Sequence, residues 1–238
     1  MLPQWWQKNR QRLIAHYCQH CLLPIEPRGS QSSLPWVLCQ QCITAMAQPR
    51  CRHCGLRNQV DVDHCGQCLT HPPLWRKLYC VGDYQPPLSR YVHQLKFSQQ
   101  LHQADLLAQL LVDKVDGKVD AITYVPLHWR RQLWRGFNQS EWLALAVAKR
   151  LNIPCVPMFR RTRATQAQLG MDRRDRQKNL RHAFHLNGIQ SYEAIAIVDD
   201  VVTTGSTVQQ LCKLLLDAGT KSVDIYCICR TPEPDGER

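Results

Sequence analysis

Four Cys-x-x-Cys pairs, all within residues 18–68, constrain the fold of this chain more than any other feature. Each such pair holds two thiolates on one tight turn, and two pairs complete the tetrahedral all-sulfur shell that Zn²⁺ accepts. From Tyr17 to about Pro73 no helical or strand periodicity is long enough to build a hydrophobic core. The sequence therefore predicts two structural Zn²⁺ ions, with the ligands Cys18, Cys21, Cys39, Cys42, Cys51, Cys54, Cys65 and Cys68.

The spacing of the pairs leaves their combination open. There are 17 residues between the first two pairs and ten between the last two, which fits a double zinc ribbon with the pairs combined in series. A cross-braced arrangement, first pair with third and second with fourth, has the same spacing. Closed four-cysteine sites are structural, whereas a catalytic zinc keeps an open coordination position. We therefore expect a stabilising role for both metals.

The remaining cysteines indicate the compartment. The total of 13 is odd, and five lie outside the pairs, which suits a reducing environment better than a disulfide framework. The first ten residues contain no apolar signal region, and no run approaches the ~18 apolar residues of a membrane span. We expect a cytoplasmic protein without a membrane-spanning segment.

After Pro72-Pro73 the composition changes to alternating apolar strands and amphipathic helices. We expect three parts: residues 1–72 with an N-terminal helix and the double zinc ribbon, a second domain over 73–231, and a disordered tail over 232–238. Strands alternating with helices predict an α/β fold with a parallel sheet flanked by helices. The predicted strands are 77–84, 120–125, 155–159, 183–186, 194–198 and 223–228, and the predicted helices are 86–97, 101–115, 138–151 and 206–218.

One segment of the second domain carries a specific chemical signal. An apolar strand ends at Asp199 and Asp200, and a turn of Thr203, Thr204, Gly205, Ser206 and Thr207 then opens a helix. The carboxyl edge of an open parallel sheet is where such folds bind ligands. Backbone N–H groups, hydroxyls and a helix N-terminus together suit a terminal phosphate, and glycine permits close approach. The alternative is an ordinary helix cap after two unrelated acids, which this spacing disfavours.

This motif resembles the phosphoribosyl pyrophosphate (PRPP) motif of type I phosphoribosyltransferases, and the cysteine pairs ahead of it resemble the ComF/GntX family. The Arg135-Gly136-Phe137-Asn138-Gln139 segment is similar to the feature that separates this family from other phosphoribosyltransferases. Further matches are Leu95-Lys96-Phe97, Val125-Pro126-Leu127-His128, and Thr165-Gln166 followed by Arg176 and Asn179. The resemblance covers nearly the whole chain and implies a type I phosphoribosyltransferase fold.

The resemblance also implies roles for individual residues. Asp199 and Asp200 are expected to face the ribose hydroxyls of PRPP, and Thr203 to Thr207 to hold its 5′-phosphate. The turn of Val125, Pro126, Leu127 and His128 matches the family's pyrophosphate loop. The residues expected to meet the diphosphate and Mg²⁺ are Lys96, Arg131 and Arg135. Residues 160–181 match the hood that selects the acceptor base, without a base-recognition signature.

The charge of the chain favours an anionic partner. Lys and Arg total 30 against 19 Asp and Glu, for a net charge of +11. Residues 160–181 contain eight cations and two acids, and residues 129–137 interleave aromatic and arginine side chains. Cations follow a phosphate backbone and aromatics stack on unpaired bases, so single-stranded DNA is a coherent ligand. Solvated charge and buried aromatics are the alternative explanation.

Three functions remain open from the sequence. The first, which we favour, is a ComF/GntX-like factor for DNA uptake or for use of DNA as nutrient, with a PRPP and Mg²⁺ pocket. The second is an active phosphoribosyltransferase with an unknown acceptor. The third is a zinc-ribbon scaffold that binds protein partners of a DNA import or processing machine.

Overall fold

A computed structural model describes residues 16–18, 20–25, 38–97, 102–128, 133–162, 183–188 and 192–231. The chain divides into two compact units, Met1–Ala47 and Gln48–Arg238. Three predicted features lie outside the described residues: most of the N-terminal helix, most of the basic segment 160–181, and the tail 232–238. Within the described ranges, every helix is too short or too polar to span a bilayer.

The described part of the first unit consists of short elements around cysteines. Strands β1 (His16–Tyr17) and β2 (Pro24–Ile25) pair antiparallel, and helix α1 (Gln40–Met46) follows. Cys39 caps this helix, because its sulfur accepts a hydrogen bond from the backbone N–H of Cys42 at 3.4 Å. The hairpin and the helix N-terminus each present one Cys-x-x-Cys pair.

The second unit is built on a parallel sheet. Its described strands are β3 (Lys77–Gly82), β4 (Ala121–Tyr124), β7 (Ala194–Val202) and β8 (Ser222–Arg230), in the spatial order β3, β8, β7, β4. Ala121 pairs with Ile195, and Ile195 pairs with Val223. The Ala-Ile-Ala-Ile-Val run of β7 is buried except at its first residue, as expected for a central strand covered on both faces. The predicted parallel sheet is confirmed.

The second unit contains the helices α2 (Gly66–Thr70), α3 (Leu88–Phe97), α4 (His102–Val112), α5 (Gln139–Leu151) and α6 (Ser206–Asp217). Helix α2 carries Cys68 of the second cysteine group, and α3 to α6 contact the sheet. Helix α5 packs on β4 and β7, and α4 packs on β3 and β8. The N-terminus of α5 forms at Asn138, whose side chain accepts a hydrogen bond from the N–H of Ser140 at 3.0 Å. Helix α6 packs through Val208, Leu211 and Leu215 into the core formed with β7 and β8.

The prediction of one strand over 155–159 is wrong. Cys155 forms a parallel bridge to Ile122 beside β4, and the next strand, β5 (Phe159–Arg161), belongs to a separate antiparallel hairpin with β6 (Phe184–Leu186). Pro157 separates the two segments, and because proline lacks an N–H it cannot continue a strand ladder. The segment 183–186 is a strand as predicted, but it pairs outside the parallel sheet.

The chain passes from the first compact unit to the second after residue 47, and the domain boundary expected at Pro72-Pro73 stays a prediction. The second group of cysteine pairs lies in the same unit as the sheet because its backbone bonds directly to β3. The N–H of Leu78 donates to the carbonyl of Arg52 at 3.1 Å. The Arg50 guanidinium lies 2.7 Å from the Asp83 carboxylate, just beyond the end of β3. The composition change at the two prolines marks a change of chemistry within one packed body.

Candidate functional site

Two adjacent carboxylates lie at the carboxyl end of β7. Asp200 is buried and its Oδ2 lies 2.8 Å from Nζ of Lys96, which α3 carries in its last turn. Asp199 is half-buried, and its Oδ1 accepts a hydrogen bond from the Ser140 hydroxyl at 3.0 Å. Ser140 belongs to the first turn of α5. Two helices therefore hold the acid pair that the sequence predicted.

Burial and neighbouring charges shift the pKa values of Asp199 and Lys96. Burial raises the pKa of Asp199 to about 7, and the Asp200 carboxylate contributes in the same direction, while Lys96 and Ser140 oppose the shift. Burial lowers the pKa of Lys96, but the Asp200 carboxylate more than compensates and the net pKa is raised. One of the two carboxyls is thus poised to gain or lose a proton near neutral pH. Perturbed groups at the mouth of a sheet are typical of ligand sites.

The turn after the acid pair has the form of a phosphate cradle. Gly205 has φ +76°, a left-handed conformation that favours glycine, and it immediately precedes the 12-residue helix α6. The Thr204 and Ser206 hydroxyls are 2.8 Å apart, and the N–H of Ser206 donates to the Thr204 hydroxyl at 3.3 Å. Thr203 is exposed, whereas Thr204 and Thr207 are half-buried. Hydroxyls and helix N–H groups therefore converge at one turn, whose first residue is exposed.

The site lies at a topological switch point of the sheet. From β7 the chain passes through α6 to β8 on one side, whereas from β4 it passes through α5 to Cys155 on the other. Open parallel sheets bind ligands at such a point, here between the carboxyl ends of β4 and β7. The turn from Val125 to His128 leads out of β4 at this edge of the sheet. The N–H of Val125 donates to the Val198 carbonyl at 3.0 Å.

Asn138 fixes the start of that turn. Its side-chain amide donates to the Val125 carbonyl at 3.1 Å while its oxygen caps α5. Within the turn, Val125 and His128 are buried and Leu127 is half-buried. The predicted pyrophosphate loop follows β4 and the predicted phosphate turn follows β7, so the two segments leave adjacent strands at the same edge of the sheet.

The three cations predicted to meet a diphosphate have different outcomes. Lys96 lies at the acid pair. The Arg135 guanidinium donates to the Gln139 side chain at 2.7 Å and stacks 5.0 Å from the Phe97 ring, next to Lys96 in sequence. Arg131 lies outside the described residues. The diphosphate role of all three stays a prediction.

Each group of four cysteines has the geometry of a tetrahedral metal site. A tetrahedron with Zn–S bonds of about 2.3 Å has sulfur–sulfur edges of about 3.8 Å. The four sulfurs of each group lie within 4.8 Å of one another. The measured edges are 3.7 Å for Cys18–Cys42, 3.7 Å for Cys21–Cys39, 3.8 Å for Cys51–Cys68 and 3.6 Å for Cys54–Cys65. Both groups can hold Zn²⁺, and of the two pairings left open by the spacing, the structure has the serial one.

Three residues at the site were not predicted from the sequence: Ser140, Trp75 and Arg230. Ser140 directly follows the Arg-Gly-Phe-Asn-Gln segment, and a helix capped at Asn138, as predicted, has Ser140 in its first turn. Trp75 packs on Gly205, and Arg230 ends β8 opposite Val202. The strand register that brings Arg230 to the phosphate turn has no local signal in the sequence.

This chain is similar to known proteins over most of its length. Residues 138–238 match the model of the phosphoribosyl transferase domain family. DNA utilization protein YhgH of Escherichia coli is 40% identical over 208 residues, 82% of this chain and 91% of the relative. Competence protein F of Haemophilus influenzae is 35% identical over 226 residues, 90% of this chain and 96% of the relative. Competence protein ComFC of Streptococcus pneumoniae is 24% identical, over 90% and 87% of the two chains.

Among solved structures, glutamine PRPP amidotransferase from B. subtilis, complexed with ADP and GMP, is 16% identical with a TM-score of 0.40. That match covers 56% of this chain and 30% of the other. Adenine phosphoribosyltransferase from Thermoanaerobacter pseudethanolicus is 14% identical with a TM-score of 0.35, over 56% of this chain and 83% of the other.

Proposed function

This chain belongs to the ComF/GntX family, and from that premise we propose that it serves DNA uptake or the use of DNA as nutrient through a pocket for PRPP and Mg²⁺. One observation carries the proposal. The acid pair Asp199 and Asp200 and the phosphate turn from Thr203 to Thr207 follow one another at the switch point of the sheet, beside the Val125 turn. Each part of PRPP has a chemically matched partner there.

The 5′-phosphate binds the turn, where N–H groups of α6 and the Thr204 and Ser206 hydroxyls donate to its oxygens. The ribose hydroxyls donate to the carboxylates of Asp199 and Asp200. Lys96 pairs with Asp200 at 2.8 Å, and Ser140 orients the Asp199 carboxylate. The half-buried Asp199 carboxylate is the hard oxygen donor that would hold Mg²⁺, which would neutralise diphosphate charge when bound. Arg135, stacked on the Phe97 ring next to Lys96 in sequence, supplies further positive charge.

Calorimetric titration of PRPP tests this pocket. Asp199→Asn with Asp200→Asn removes two anionic acceptors, each worth ~1.5–3 kcal/mol, so affinity should fall roughly tenfold or more. Asp120→Asn is the matched control. That carboxylate accepts backbone N–H bonds at 2.8 and 3.0 Å at the opposite end of the same sheet and should leave affinity unchanged. A double variant that binds PRPP like the parent contradicts the assignment.

We propose that both cysteine clusters are occupied by structural Zn²⁺ in the folded protein. The tetrahedral edges and the short Cys-x-x-Cys turns support this occupancy. Elemental analysis should find two Zn²⁺ per chain, and Cys51→Ser should remove one and destabilise the second cluster, because metal binding is folding energy in such modules. Less than about one Zn²⁺ per chain in reduced, folded protein contradicts the proposal.

A specific surface favours single-stranded DNA as a second ligand. Leu133 and Trp134 are 75% and 77% exposed, and Phe97 is 52% exposed beneath the Arg135 guanidinium. Exposed aromatics next to a cation suit stacking on unpaired bases. The predicted cations over 160–181 would add phosphate contacts.

Binding of a fluorescent oligo-dT tests this surface. Association should weaken with salt at a slope of roughly −0.7 per phosphate contacted. Trp134→Ala should lose ~1–3 kcal/mol with little salt dependence. Leu69→Ala, an equally exposed apolar side chain on α2, is the control and should have no effect. Absence of salt-sensitive binding at low ionic strength contradicts the DNA proposal and leaves the PRPP pocket standing.

A further inference from the structure

The second cysteine cluster (Cys51, Cys54, Cys65, Cys68) is connected to the backbone of the phosphate turn through a single side chain. The connection is Arg230, the last residue of β8, which is 4% exposed. Its Nε donates to the Cys54 carbonyl at 3.0 Å, and its Nη1 donates to the carbonyls of Val202, at 3.3 Å, and of Thr203. One guanidinium thus joins a metal-ligand residue to the start of the turn.

Trp75 makes a second, independent connection. Its indole N–H donates to the His53 carbonyl at 2.7 Å, and the His53 ring bonds back to the Trp75 carbonyl at 2.8 Å. The other end of the indole packs on Gly205, where an added Cβ would lie 3.0 Å from the ring. His53 lies between Cys51 and Cys54, so both connections start from the same Cys-x-x-Cys turn.

The shape of that turn depends on the sulfurs being drawn together. Cys51 and Cys54 each lie within 3.8 Å of a sulfur from the Cys65/Cys68 pair, and the N–H of Cys65 donates to the Cys51 sulfur at 3.2 Å. A bound metal fixes these distances and with them the carbonyls of His53 and Cys54. Without the metal nothing holds the four sulfurs at these distances, and the two carbonyls lose their fixed positions. The buried Arg230 guanidinium then loses the Cys54 carbonyl and depends on the carbonyls of Val202, Thr203 and Thr231, so the backbone at the start of the phosphate turn shifts with it.

We propose that metal occupancy of the second cysteine cluster sets the geometry of the phosphate turn through Arg230 and Trp75, and thereby controls affinity for the phosphorylated ligand. Arg230 is the main positioning residue of this device, because it does not touch the ligand and acts through the turn. The inference rests on the proposed function for the identity of the ligand, PRPP. The coupling itself is a property of the protein without ligand.

Amide hydrogen exchange of the Thr203–Thr207 turn, measured without ligand, tests the coupling. In full-length protein, Cys65→Ser, which removes a metal ligand, and Arg230→Met, which removes the connection, should each accelerate exchange of these amides by at least tenfold. Arg230→Met should keep its zinc. The control Arg150→Met breaks a 2.7 Å ion pair between α5 and the 64% exposed Asp105 carboxylate of α4, away from both connections, and should leave exchange in the turn unchanged.

PRPP calorimetry on the same proteins gives the second measurement. Arg230→Met should weaken binding at least tenfold, and Trp75→Phe, which loses the hydrogen bond to His53 and the outer indole ring that packs on Gly205, about fivefold. Cys39→Ser in the other cluster should change affinity less than twofold. If Cys65→Ser does not fold, the Arg230 and Trp75 variants decide the matter. Arg230→Met with unchanged exchange and affinity overturns the coupling, whereas a parent that ignores PRPP while its turn responds to Arg230→Met overturns only the ligand.

Discussion

Replacing Lys96 with methionine tests whether the acid pair depends on one buried cation. Methionine keeps most of the apolar stem and removes the ammonium that lies 2.8 Å from Asp200. The Asp200 side chain is 5% exposed, so water cannot solvate its charge once the ammonium is removed. Breaking a buried ion pair by removing one partner costs about 3–5 kcal/mol. Since Lys96 itself is 20% exposed, we expect a loss of about 3 kcal/mol in the free energy of unfolding.

Urea-induced unfolding at pH 7.5 measures this loss, and two further variants interpret it. Lys77→Met breaks the pair with Asp116, which is 2.7 Å long but has a 66% exposed carboxylate, and should cost less than about 1 kcal/mol. Lys96→Met with Asp200→Asn removes both charges and should recover most of the loss. A Lys96→Met cost equal to that of Lys77→Met, or no recovery in the double variant, refutes the argument.

Three further predictions follow from single residues of the site. Because the pKa of Asp199 is raised to about 7, the folded state holds a proton on this carboxyl that the unfolded state has already lost above about pH 4. The free energy of unfolding should therefore fall as pH rises from about 4 to 7, and Asp199→Asn should flatten this part of the profile. Gly205→Ala places a Cβ at φ +76° and 3.0 Å from Trp75, so it should cost about 1–3 kcal/mol in thermal unfolding, and an unchanged melting temperature would argue against the turn. Asn138→Ala removes the α5 cap and the donor to the Val125 carbonyl, and should cost about 1–2 kcal/mol by the same assay. An unchanged melting temperature would show that these two hydrogen bonds do not stabilise the fold.

The part of the site that the sequence predicted is the part that is contiguous. Strand, acid pair, glycine turn and helix follow one another in residues 194–217, so local patterns were sufficient. The cysteine ligands were also predictable, because the chemistry of each pair lies within four residues. The fold class followed from the alternation of strands and helices.

What the sequence did not predict depends on contacts between distant segments. Lys96 reaches Asp200 from a helix more than a hundred residues earlier, and Ser140 reaches Asp199 across 59 positions. The Arg230 contact with Cys54 spans 176 positions and follows from the strand order β3, β8, β7, which no local pattern encodes. The hairpin of β5 and β6 was missed as a unit because its strands are separated by residues 162–183. Packing in three dimensions decides these features.

The central claim, a PRPP pocket at the acid pair and the phosphate turn, is tested most directly by calorimetry with PRPP and ribose 5-phosphate, each with and without Mg²⁺. The turn from Thr203 to Thr207 recognises the 5′-phosphate that both ligands carry, whereas Mg²⁺ acts on the diphosphate that only PRPP has. We therefore predict that both ligands bind, that Mg²⁺ strengthens binding of PRPP, and that it leaves ribose 5-phosphate unaffected. No binding of either ligand at millimolar concentration, with two Zn²⁺ in place, would contradict the account.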